Sequence, residues 1–361
     1  MKNNVPSNKQ KDNDFKNNRF SKHPVASSLM ILFFLSVLIE VILRIANPDI
    51  LEFAYNFRQT SKYHDNWRTD FEPNTSSLLR LKDSSGSYFF NFIITVNEFG
   101  FRTYDRKLDY NLVRGENEKI IHTIGDSFTM GWGVNYEASY PAILEFMAPS
   151  DYRVLNLGLN GYGTIGATEK SLEISKVFFP DIVIYLATEN DYVDDDKAST
   201  YSGHPYLIHR VFDLLNFFRQ HTYSASSPFA LKWWLYFRHS ISVTDNDFPK
   251  HKTSYISIEN DFKLLSTDHK SDPNIGANSK NALLRYNNYL SQRKVPFIVL
   301  SHGVGKVSRD INAFCKEHGI SSYLVEVPKD LKLIKEGHFN QIGNYKMALL
   351  IYKILKARNL I

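Results

Sequence analysis

Apolar positions divide the chain into stretches of different character. Residues 1–24 are rich in Asn, Lys and Ser and hold almost no large aliphatic side chains. Such a stretch cannot bury enough apolar surface to order itself, which predicts a disordered tail. Val25 to Leu43 then reads VASSLMILFFLSVLIEVIL, with one charge, Glu40, at its far end. A helix of that length spans about 28 Å, against about 30 Å for a hydrocarbon core, so residues 25–45 are read as a single transmembrane helix. Glu40 has Arg44 as its i, i+4 partner. Residues 46–115 form a juxtamembrane connector followed by a small β element. Within it, runs at 77–82 and 87–96 flank the turn-forming Asp83-Ser84-Ser85-Gly86.

From residue 119 the apolar pattern alternates between strand-like runs and amphipathic stretches. Strands are predicted at 119–124, 153–157, 181–187, 295–301 and 321–326, and helices near 138–147, 165–178, 279–293, 307–318 and 341–357. Strands separated by helices of this length imply βαβ units and a central parallel sheet with helices on both faces, an α/β class. The domain so defined covers 116–361. It is interrupted at about 197–270 by an aromatic segment containing Phe217, Phe218, Trp233, Trp234, Tyr236 and Phe237, read as a partly helical insertion.

Charge orients the apolar helix. Lys2, Lys9, Lys11, Lys16, Arg19 and Lys22 precede it, opposed only by Asp12 and Asp14. The positive-inside rule places the tail in the cytoplasm and residue 47 onward outside. A cleaved signal peptide is the competing reading, but the apolar run is longer than the usual 7–15 residues and no small-x-small site follows before Arg44. The overall charge of +5 is small, and no basic patch with interleaved aromatics points to nucleic acid. A single cysteine, Cys315, excludes an intrachain disulfide and a thiolate zinc site. The acidic run Asp191, Asp194, Asp195 and Asp196 lacks EF-hand spacing and reads as a solvated loop or helix N-terminus. No cofactor or metal motif is present; Gly303-Val304-Gly305 lacks a third glycine at nucleotide-binding spacing.

Four polar clusters stand beside predicted strand ends, where open α/β sheets bind ligands. Gly125-Asp126-Ser127-Phe128 follows the first strand and presents a serine past its end. Asn156 to Gly161 follows the second, where a glycine frees a backbone N–H for an anion. Thr188-Glu189-Asn190-Asp191 follows the third and offers the Asn190 amide. Glu336-Gly337-His338-Phe339-Asn340 precedes the last helix and offers an imidazole. Taken singly, each is also a turn, a helix entry, an N-cap or a structural histidine. His302, at the end of the fourth strand, is a further candidate to line the cleft.

As a set these blocks resemble the SGNH, or GDSL-type, hydrolase family. Gly125-Asp126-Ser127 matches its first block, Asn156 to Gly161 resembles the second, and Glu336 to Asn340 followed by Gly343 resembles the last. The third is matched in part, because Thr188 stands in place of the usual glycine. Phe128 to Val134 and Asn97 to Arg102 look like a membrane-anchored bacterial branch. The resemblance covers roughly residues 97–361. It implies a flavodoxin-like three-layer α/β/α sheet, Ser127 as nucleophile and His338 as general base. It also implies an oxyanion hole from Ser127 N–H, Gly161 N–H and the Asn190 side chain. The family's acid lies three residues before the histidine, which here is Lys335; Glu336 takes that role in this reading, or Ser127 and His338 act as a dyad. Asp126 and His302 are assigned as possible substrate-binding residues. The substrate so implied is an acyl ester, of an envelope glycan or a lipid, on the periplasmic side. Transfer of the acyl group to an envelope polysaccharide, and a catalytically silent binding protein, are the two alternatives.

Overall fold

The computed structural model describes residues 24–46, 49–63, 69–82, 88–104, 115–201, 222, 262–266, 269–333 and 337–361. The predicted N-terminal tail and the aromatic residues singled out between 197 and 270 lie outside the described residues, as does Glu336.

The apolar run forms helix α1 (Pro24–Ala46), long and apolar enough to cross a membrane, with none of its residues buried in the chain. Glu40 accepts from Arg44 Nε at 2.8 Å, as the i, i+4 spacing predicts. Helix α2 (Asp49–Gln59) follows, in a stretch read from sequence only as connector. Its buried residues are Leu51, Phe53, Ala54 and Phe57, one helical face. Leu43 of α1 packs against Leu51 and Ala54. Glu52 pairs with Arg80 at 2.8 Å, and Asn56 Nδ2 donates to Leu78 O at 3.0 Å, fastening α2 to the neighbouring strand.

The chain then supplies β1 (Ser61–Tyr63), β2 (Thr69–Phe71), β3 (Ser76–Lys82), β4 (Tyr88–Val96), β5 (Arg102–Thr103) and β6 (Lys119–Gly125). The remaining strands are β7 (Tyr152–Asn156), β8 (Ile182–Ala187), β9 (Lys263–Leu265), β10 (Phe297–His302) and β11 (Ser321–Glu326). Strands β1 and β2 pair with each other; the others form a nine-stranded sheet in the order β3-β4-β5-β7-β6-β8-β10-β11-β9. Its centre, β7-β6-β8-β10-β11, is parallel, and in chain order reads second, first, third, fourth, fifth: the flavodoxin-like order. The edges correct the sequence reading. The β3–β4 hairpin is not a separate β element but an antiparallel extension of the main sheet, joined through the pairing of Arg102 with Asn156. Its inward side chains Leu79, Leu81, Phe90, Phe92 and Ile94 are buried, so detaching it would expose a large apolar face.

Helices cover both faces of the sheet. Along β8, Val183, Tyr185 and Ala187 join one core, and Ile182, Ile184 and Leu186 the other, because successive strand side chains point to opposite faces. The first core is closed by α2, α5 (Thr164–Ile174), α7 (Ala277–Ser291) and α8 (Lys306–Glu317). The second is closed by α4 (Tyr140–Met147) and α9 (Gln341–Ala357). Two further helices stand at strand ends, α3 (Ser127–Met130) and α6 (Asp191–Tyr201). The result is the three-layer α/β/α arrangement. Burial pushes the Cys315 thiol up to about 12, so it is an inert core residue.

Candidate active site

Strand β6 ends at Gly125, whose φ is +150°. A Cβ there would come within 2.4 Å of Thr129 Oγ1 and 2.8 Å of Leu186 O, so only glycine allows the chain to turn directly into α3. Asp126 caps that helix, its Oδ1 accepting from Phe128 N–H at 2.9 Å. Ser127 is the first residue of α3 and is 6% exposed. Its backbone N–H has no acceptor among the described residues, as expected in a first helical turn.

Ser127 Oγ lies 2.6 Å from His338 Nε2, although 211 residues separate them in the chain. The histidine precedes Phe339, which bridges Lys332 antiparallel, and its carbonyl accepts from Leu333 N–H at 2.6 Å. Asn340 then caps α9, its Oδ1 accepting from Gly343 N–H at 2.8 Å. The His338 ring packs on Phe128 at 4.5 Å, centroid to centroid, and near Trp132 at 6.2 Å. A hydroxyl and an imidazole nitrogen at this distance can pass a proton.

The other predicted residues fall as follows. Gly161, with φ +78°, leaves its N–H without an acceptor among the described residues, and no atom lies within 4 Å of where its Cβ would be. Asn190 is exposed; its Nδ2 donates to Asp194 Oδ2 at 2.7 Å, and its Oδ1 accepts from Thr188 Oγ1 at 2.7 Å. Ser127, Gly161 and Asn190 thus follow the ends of three neighbouring strands, β6, β7 and β8. Asp126 is 1% exposed, with Oδ1 held by Phe128 N–H and Oδ2 lying 2.8 Å from the Thr188 hydroxyl, an inward-facing cap. Burial pushes its carboxyl above the ordinary range, against the pull of His338 and of its Phe128, Thr188 and Asn190 donors. His302 is buried at the end of β10, with Nε2 lacking a partner among the described residues. Burial pushes its imidazole down to about 3, with Lys332 and the neighbouring His338 acting in the same direction. The Phe128 ring, 4.5 Å from His302, is equally close to His338.

Three residues beside the site were given no role of their own from the sequence. Arg102 is fully buried, and its guanidinium donates to Met130 O, Gly131 O, Val134 O and Ile93 O at 2.6–2.9 Å. It thereby pins the loop that follows the serine helix. Burial lowers its pKa to about 10. Thr188 and Asp191 lie behind Ser127. The acidic run opens α6, the helix N-terminus of the sequence reading, but it is not uniformly solvated: Asp191 and Asp195 are 1% exposed, while Asn190 and Asp194 hydrogen-bond at the surface. Helical i, i+4 spacing of 191 and 195 was the available signal. Among the described residues no cluster of His, Cys, Asp and Glu is arranged to hold a metal ion.

The solved structures that the chain is similar to include esterases and members of the lipolytic G-D-S-L family. AlinE4, an SGNH-hydrolase family esterase, shares 16% identity over 58% of this chain and 77% of its own, with a TM-score of 0.30. The aryl esterase of M. smegmatis shares 12% over 67% of this chain and 100% of its own, TM-score 0.35. A member of the lipolytic G-D-S-L family from Veillonella parvula shares 13% over 66% and 98%, TM-score 0.35. No family model and no curated protein matches the chain.

Proposed function

We propose that this chain is a membrane-anchored serine esterase, with α1 in the bilayer, the N-terminal tail cytoplasmic and the α/β domain outside. The observation that carries the reading is the 2.6 Å contact between Ser127 Oγ and His338 Nε2 at the carboxyl edge of a parallel sheet. His338 takes the hydroxyl proton as Oγ attacks the ester carbonyl and returns it to the departing alcohol. Water then cleaves the acyl-serine with the same base. Ser127 N–H, Gly161 N–H and the Asn190 amide receive the developing oxyanion, each contributing on the order of 10²–10³ in rate. Glu336 is assigned to orient the imidazole and stabilise its cation. The substrate is an acyl ester carried by an envelope glycan or lipid.

A fluorophosphonate probe tests this directly. The wild-type chain is expected to label at one site, and Ser127→Ala and His338→Ala are each expected to lose labelling and turnover of p-nitrophenyl acetate while melting cooperatively. An unlabelled wild-type chain would leave a silent binding protein in place of the esterase.

A further inference from the structure

Thr188 stands where the resemblance calls for glycine, and its hydroxyl is surrounded by oxygen. Oγ1 lies 2.8 Å from Asp126 Oδ2, 2.7 Å from Asn190 Oδ1 and 2.9 Å from Asp191 Oδ1. A hydroxyl has one proton to give and two lone pairs with which to accept. It donates to one oxygen, and Asn190 Oδ1 can only accept, so with that bond made the Asp126 and Asp191 contacts are each made by a proton coming from the carboxyl group. Asp126, buried and with its carboxyl pushed above the ordinary range, carries one of them, and Asp191 is placed to carry the other. It is buried, and its pKa is pushed well above the ordinary carboxylate range by burial and by neighbouring Asp126, although the Tyr185 hydroxyl and Thr188 N–H donate to it.

The hydrogen bonds continue beyond this point. Asp191 Oδ2 accepts from Tyr185 OH, and that hydroxyl is 2.8 Å from Thr164 Oγ1, at the start of α5 and three residues after Gly161. One buried chain of contacts, Asp126–Thr188–Asp191–Tyr185–Thr164, therefore ties together the segments bearing Ser127, Asn190 and Gly161. Thr188 is its branch point. By holding Asn190 Oδ1 it leaves Nδ2 facing Asp194 and, on the other side, the Asp126 carboxyl beside Ser127.

We infer that Thr188 is a positioning residue for the oxyanion hole: its hydroxyl locks the Asn190 amide and joins the Asn190 and Ser127 strand ends. The inference rests on the serine-esterase reading above. A glycine at this position has no group with which to make either connection.

The test uses the full-length chain in detergent, with Thr188→Val, Thr188→Ala and Thr188→Ser compared for p-nitrophenyl acetate turnover and for the rate of fluorophosphonate labelling. Val and Ala are expected to lose about tenfold or more in kcat with KM changed by less than about twofold, and to label correspondingly slowly. Ser, which keeps the hydroxyl, is expected to stay within about threefold of wild type. Wild-type rates in a folded Val or Ala variant would overturn the inference. So would a Ser variant as impaired as Val, which would make the methyl group the important part. Failure of both Val and Ala to fold would overturn it too, leaving Thr188 a residue of stability alone. A wild-type chain whose Ser127 ignores the probe sinks the esterase reading itself, whereas a labelled wild type beside an unaffected Val variant sinks only the role of Thr188.

Discussion

The indole of Trp132 lies 6.2 Å from the ring of His338, centroid to centroid, and is itself 99% removed from solvent. Phe57 of α2 meets the same indole edge-on at 5.4 Å, and Phe53, Phe90 and Phe92 surround it at 5.6–6.1 Å. Helix α2 therefore reaches the candidate general base through a single side chain. Aromatic packing of this kind leaves little free volume and fixes ring positions.

Phe57→Ala is accordingly expected to cost about 3–5 kcal/mol of stability, because it deletes a large buried ring and leaves a cavity beside Trp132. Slower fluorophosphonate labelling should accompany the loss, as His338 gains room to move. Truncation before Asp49 retains α2 and should preserve both properties, while truncation through Gln59 should not. Denaturant unfolding and labelling rates check all three. Wild-type stability in Phe57→Ala would mean that α2 only rests on the domain.

The alternating pattern beyond residue 119 made the sheet legible because parallel strands covered on both faces read as continuous apolar runs, as in Ile182–Ala187. Helix α2 was not legible as core. Its polar side chains Asp49, Glu52, Asn56, Arg58 and Gln59 are interleaved with the apolar ones in nearly equal number, and tertiary contact with Trp132 shows which face is buried. The Ser127 and His338 positions were readable through a set of short blocks at strand ends. Thr188 and Arg102 were not, since their role comes from oxygens contributed by distant segments: Asp126 in one case, the carbonyls of residues 93 and 130–134 in the other. A residue whose partners are backbone carbonyls leaves no complementary side chain in the sequence to betray it.

Arg102 offers a sharper case. Among the described residues its guanidinium has no carboxylate partner and its Nε no acceptor; its charge is dispersed over four carbonyl oxygens. Arg102→Met removes the donors and leaves those carbonyls buried and unsatisfied, at about 1–3 kcal/mol each where water cannot reach them. The expected outcome is a loss of about 3–5 kcal/mol or failure to fold. Arg102→Lys keeps a cation but has three donors and no planar fork, so it should retain part of the stability and lose labelling rate through a looser 130–134 loop. Equal behaviour of Lys and wild type in thermal melts would show that charge alone suffices there.

His122 predicts how stability responds to acid. It lies fully buried on β6, with Nδ1 2.7 Å from Ser171 Oγ and Nε2 2.8 Å from Phe178 O. Burial, outweighing the Phe178 carbonyl and Asp181, pushes its pKa down from 6.5 to about 3, so the folded chain keeps it neutral. The unfolded chain protonates it below its ordinary value. From about pH 6.5 down to about pH 3 the unfolded state therefore binds the extra proton, and stability falls by about 1.4 kcal/mol per unit as pH is lowered. Above that window the residue contributes no slope. Asp195 and Glu145 act in the opposite sense, because burial raises them to about 6 and about 7 and the folded state then holds their protons more tightly. His122→Gln separates the contributions. Its stability relative to wild type should improve by about 2 kcal/mol between about pH 7 and about pH 5, read from denaturant midpoints at both values. Parallel stability curves for the two chains would show that His122 is not held neutral in the fold.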